Sequence, residues 1–154
     1  MSSLLTRPRI LIAEARFYDA LCDNLLRGAL VELGKADALF TRIAVPGVLE
    51  LPATIAIAVE AMKRDPLNYH YDGFIAFGCV IKGSSDHYDH VCREAMGGLS
   101  DVALEHRLAL GNGVLTVHDQ EQAEERADPA RLNIGGSTAR ACLRMIAAKK
   151  ELGL

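Results

Sequence analysis

The stretch Phe74-Ile-Ala-Phe-Gly-Cys-Val-Ile-Lys-Gly-Ser-Ser-Asp-His-Tyr-Asp-His90 decides the architecture. Its first four residues form an apolar run suited to a strand buried on both faces, ending at Gly78 or extending towards Ile81. A short polar turn follows, and a helix opens near Asp86. A strand that feeds a helix through a tight turn is the unit from which parallel α/β sheets are built. Gly83, Ser84 and Ser85 then lie at a helix N-terminus, where free backbone N–H groups and the helix dipole favour an anion. His87 falls in the first turn, a side-chain type that moves protons near neutrality. A plainer reading has Ser85 or Asp86 cap the helix and leaves His87 solvated.

Outward from this segment the same alternation repeats. Residues 9–15 (RILIAEA) read as a buried parallel strand, and 18–34 repeat apolar residues at helical spacing up to Gly34. Residues 38–45 make a second strand, stopped by Pro46-Gly47, and 51–64 a helix with Pro52 in its first turn. Residues 86–108 form the longest helical pattern, 113–117 (GVLTV) a fourth strand, and 119–126 and 137–150 two further helices. Four strands separated by helices imply right-handed crossovers and a parallel sheet covered on both faces, a three-layer α/β/α arrangement. Ligands of such sheets bind beyond the carboxyl ends of the strands. Those ends are Ala15-Arg-Phe17, Val45-Pro-Gly47, Val80-Ile-Lys82 and Thr116-Val-His118. Residues 1–154 read as a single domain, with 1–8 as a flexible N-terminal arm.

Composition removes several function classes. Half of the 154 residues are apolar, 24% are charged and the formal net charge is −3, with no basic run longer than Lys149-Lys150, which argues against nucleic acid. No apolar stretch has the length of a membrane span, and the N-terminus lacks a signal-peptide core. The four cysteines, Cys22, Cys79, Cys92 and Cys142, show no CxxC spacing. They read as small thiols of a reducing cytoplasm and not as disulfides or a zinc site.

Val45-Pro-Gly-Val-Leu-Glu-Leu-Pro52 is the second unusual segment. Glu50 stands before an otherwise apolar helix, either as a first-turn carboxylate favoured by the dipole or as an acceptor for substrate hydroxyl or amine groups. His90 and His118 read as surface or structural histidines, and Asp89 as a first-turn carboxylate.

These pieces, together with Ala15-Arg-Phe-Tyr18 and Gly113-Val-Leu-Thr…Glu121-Gln-Ala-Glu-Glu-Arg126, follow one another in an order that resembles the 6,7-dimethyl-8-ribityllumazine synthase family, over about residues 9–150. The resemblance implies a flavodoxin-like fold with strand order 2-1-3-4. It implies a transferase that condenses 5-amino-6-(D-ribitylamino)uracil with 3,4-dihydroxy-2-butanone 4-phosphate in riboflavin biosynthesis, without metal or organic cofactor. By the same resemblance Phe17 stacks on the pyrimidine, while Glu50 with the backbone of Val48 and Leu49 binds the ribityl chain. Val80 and Ile81 meet the uracil. Gly83, Ser84, Ser85 and Arg126 hold the phosphate, and His87 is the general acid/base. The family's site lies between subunits of a ring of five, where an aromatic from the neighbour often closes it; Asn112 stands at that position. Ile134 replaces a common lysine, with Arg131 nearby, and Lys82 replaces an arginine, keeping charge but losing the fork. The turn 127–133 differs from the one seen in shell-forming members, which points to a homopentamer or a pentamer dimer functionally linked to riboflavin synthase. The rival readings are a catalytically weak paralogue that binds riboflavin or lumazine, favoured by Ile134 and Asn112, and an unrelated flavodoxin-like phospho-ligand module. The chain lacks the GxGxxG phosphate loop that would suit the latter.

Overall fold

The computed structural model describes residues 6–154. Residues 1–5 of the expected arm lie outside the described residues, whereas Arg7 pairs with Asp37 at 2.9 Å and the Pro8 carbonyl accepts from the Leu39 N–H. Four parallel strands, β1 (Arg9–Ala15), β2 (Leu39–Val45), β3 (Gly73–Ile81) and β4 (Leu110–Val117), stand in the order β2-β1-β3-β4. Helices α1 (Asp19–Lys35), α4 (Gln120–Ala127) and α5 (Ile134–Glu151) pack on one face. Helices α2 (Leu51–Arg64) and α3 (His87–His106) pack on the other. This is the expected three-layer, flavodoxin-like arrangement.

The core follows from strand alternation. Ile10, Ile12, Ile75 and Phe77 pack with Leu25, Leu33, Ala139 and Cys142 on the α1–α5 side. Leu11, Ala13, Phe74 and Ala76 pack with Leu51, Ile55, Ala95 and Leu99 on the α2–α3 side. β1 and β3 are buried on both faces, but β2, at the edge, leaves Leu39, Phe40 and Ile43 exposed. No helix among the described residues is long and apolar enough to cross a membrane.

Of the two ends read for β3, the structure takes the longer: the strand runs past Gly78 to Ile81, because its ladder to β4 continues from Gly78↔Val114 to Ile81↔Val117. Two other boundaries depart from the sequence reading. β4 begins at Leu110, not at residue 113. Gly111 there is no turn: a Cβ would stand 2.5 Å from the Thr138 carbonyl oxygen, so the glycine lets α5 lie against the strand. α5 begins at Ile134, because Asn133, in the left-handed region at φ 50°, caps it by accepting from the Gly136 N–H at 3.2 Å.

Candidate active site

The carboxyl ends of β1, β2 and β3 open into one cleft of about 340 Å³, lined by Phe17, Tyr18, Gly47, Val48, Leu49, Glu50, Cys79, Val80, Ile81, His87 and Val91. A parallel sheet concentrates its strand ends on one side, so segments far apart in sequence meet there. Phe17 comes from a 3-10 turn, Arg16–Tyr18, directly after β1. Its ring is 76% exposed and meets Tyr18 edge-on, with centroids 4.9 Å apart and an interplanar angle of 82°. An exposed aromatic face beside a cleft offers a planar heterocycle a stacking partner.

The opposite wall is a second 3-10 turn, Val48–Glu50, entered from β2 through Pro46-Gly47. Val48 is buried as its anchor, and Leu49 is half exposed at the rim. The Glu50 Oε2 accepts the Gly47 N–H at 2.9 Å, which fixes the carboxylate; among the described residues Oε1 accepts nothing. Glu50 therefore holds the turn and still offers an oxygen to the cleft. Both meanings given to it from sequence are compatible.

β3 supplies the floor through Cys79, Val80 and Ile81. Burial pushes the Cys79 thiol up to about 12, so it is protonated at neutral pH and no nucleophile. His87 reaches the cleft from the first turn of α3, with Val91 one helical turn further on the same face. The His87 N–H donates to the Ser85 Oγ at 3.4 Å, while Asp86 at the cap position makes no side-chain cap. Ser85 thus takes the capping part, and the His87 ring is left to the cleft. Gly83, Ser84 and Ser85 form the exposed turn before α3, adjoining the cleft wall in sequence but not lining it.

Two expected site residues stand on other elements, apart from this cleft. Arg126, in the last turn of α4, is half buried and donates to the Gln122 carbonyl at 3.2 Å; no carboxylate of the described residues pairs with it. Asn112 sits within β4, opposite Ala76, and not before the strand; its Oδ1 accepts from the Val114 N–H at 3.0 Å. Neither lines the cleft of its own chain. Ile134 packs against the α1–α5 core as the first residue of α5, and Arg131 borders a separate hollow beside Ala20 and Asn24.

Tyr18, Gly47, Cys79 and Val91 were not singled out as site residues from sequence. Tyr18 and Gly47 flank residues that were. Val91 follows from helical spacing off His87, and Cys79 from alternation along β3 with Ile81.

The sequence model of the 6,7-dimethyl-8-ribityllumazine synthase family matches residues 7–150, a span that includes every wall of the cleft. A 6,7-dimethyl-8-ribityllumazine synthase of Paramagnetospirillum magneticum is 52% identical over 146 residues, covering 95% of this chain and 97% of the relative. Relatives of the same description from Afipia carboxidovorans (47% identical; 96% of this chain, 90% of the relative) and Bartonella tribocorum (45%; 99% and 97%) are similar over comparable lengths. With the sheet order, the cleft and the matched span in agreement, the chain belongs to the 6,7-dimethyl-8-ribityllumazine synthase family.

Proposed function

We propose that this chain is a transferase of riboflavin biosynthesis that condenses 5-amino-6-(D-ribitylamino)uracil with 3,4-dihydroxy-2-butanone 4-phosphate. The products are 6,7-dimethyl-8-ribityllumazine, inorganic phosphate and water. The observation that carries this reading is the meeting of Phe17, Glu50 and His87 at one cleft beyond the strand ends of a chain of this family.

The amine attacks the ketone and loses water to give an imine, phosphate leaves, and the ribitylamino nitrogen closes the ring with loss of a second water. Each step relocates a proton, and His87 serves as the acid and base beside the reacting atoms. Phe17 stacks on the pyrimidine while Val80 and Ile81 meet its edge. The free oxygen of Glu50, with the backbone of Val48 and Leu49, takes the ribityl hydroxyls. Gly83, Ser84 and Ser85 receive the phosphate at the α3 N-terminus, where the dipole favours it, and an arginine fork completes its charge. Holding two substrates in register supplies much of the rate, because amine and ketone condense in water unaided.

The placing of Arg126 and Asn112 away from their own cleft supports a site shared between subunits. We assign a homopentamer of single-domain chains in the cytoplasm, each cleft completed by Arg126 of the partner subunit with Asn112 beside it. Exposed Phe17 and the open face of β2 are consistent with further cover. The product passes to riboflavin synthase.

The test is to supply both substrates to the purified protein and follow lumazine by absorbance together with phosphate release. A protein-dependent rate with equal yields is expected. No rate above the uncatalysed condensation, in a folded oligomer that still binds riboflavin, overturns the enzyme and leaves a binding paralogue.

A further inference from the structure

Ile10, Ile12 and Glu14 alternate along one face of β1, and the two isoleucines lie in the α1–α5 core. A third apolar residue would continue that pattern. Glu14 stands there instead, 1% exposed. Its Oε1 accepts from the Arg16 Nη2, and its two oxygens accept from the Arg42 Nε at 2.7 Å and Nη2 at 3.1 Å. Burying charges in this way seldom adds net stability over an apolar replacement. What these bonds do is geometric.

Arg16 directly precedes Phe17. Its Nη1 also donates to the Asp19 Oδ1 at 2.9 Å, the Asp19 carbonyl at 3.2 Å and the Asp23 Oδ1 at 2.5 Å, so the chain is pinned on both sides of the Phe17 ring. Burial works to lower the Arg16 pKa, but its bonds to Asp23 and Glu14 outweigh this and raise it. Arg42 lies on β2, three residues before Val45, the strand end from which the Val48–Glu50 wall departs. One carboxylate thus grips the two strands that carry opposite walls of the cleft.

We infer that Glu14 is a positioning residue: through Arg16 and Arg42 its buried carboxylate sets where Phe17 stands relative to the Val48–Glu50 wall, and so how well the cleft grips the heterocycle. This rests on the proposed condensation.

A double-mutant cycle on 6,7-dimethyl-8-ribityllumazine binding, read by ligand fluorescence, separates this from a structural role. Glu14→Gln should raise Kd about tenfold, the effect of losing a charge-assisted bond, with the KM for the butanone phosphate unchanged. In a Phe17→Ala background the same substitution should change Kd no further. Arg42→Gln, at a half-exposed side chain, should weaken binding in the same direction and carries the cycle if Glu14→Gln does not fold. Equal factors in both backgrounds, or a lowered Tm with unchanged Kd, would overturn the positioning role. A wild-type protein that fails to bind the lumazine would instead sink the condensation itself.

Discussion

His87 owes its place to the Ser85 cap: the backbone N–H is satisfied by the serine, and the exposed ring carries no packing duty. Replacing it is therefore expected to spare the fold. His87→Ala should lower kcat by roughly 10²–10⁴, the range for loss of a general acid/base, with Tm unchanged in a thermal melt. Cys79 is the opposite case, a residue that lines the cleft but stays chemically silent. Because burial holds its thiol protonated up to about pH 12, iodoacetamide should label it slowly at pH 8. At pH 9 its rate should rise roughly tenfold with the thiolate fraction and still stay far below that of an ordinary thiol. Fast labelling followed by loss of activity would show that the thiol is reactive after all. Glu50 lies between the two, since one oxygen fixes the turn and the residue also lines the cleft.

At the scale of elements, the sequence was most legible where periodicity and punctuation agree. α2 is bounded by the first-turn Pro52 and by Asp65-Pro66, and it begins and ends where those residues place it. Legibility failed at glycines that serve packing instead of turning. Gly111 lies inside β4, and Gly135 lies inside α5, because helices and strand approach too closely there for a side chain. Such a need depends on a distant partner, and no local pattern encodes it. Gly135 gives the sharpest check: a Cβ would run into the Leu25 carbonyl oxygen of α1. Gly135→Ala should cost about 1–3 kcal/mol or more by overpacking in urea unfolding, even though alanine is the better helix former. A stabilised variant would refute the close α1–α5 contact. The site was legible for a related reason. Phe17, Glu50 and His87 all follow strand ends, and strand ends meet in a parallel sheet. Glu14 went unread because a charged residue inside an apolar strand declares its role only through Arg42, 28 residues away.

For the whole molecule, the cleft as one chain builds it is lined by Phe17, Glu50 and His87, but by no arginine. Arg126 stands elsewhere without a carboxylate partner among the described residues, and the proposed ring brings it to a neighbour's cleft. The departures at Ile134, in the α1–α5 core, and at Asn112, within β4, leave the sheet unchanged. Heterologous contacts that close into a ring make each site a product of two different copies. His87→Ala and Arg126→Ala chains therefore damage different halves of every site. The decisive measurement is lumazine formation at low butanone phosphate by rings co-assembled from equal amounts of the two variants. Each variant alone should run well below wild type, and the mixed rings should regain about a quarter of the wild-type rate, since one junction in four joins two intact halves. A mixture no faster than the average of its parts would contradict a lumazine-forming site shared between subunits.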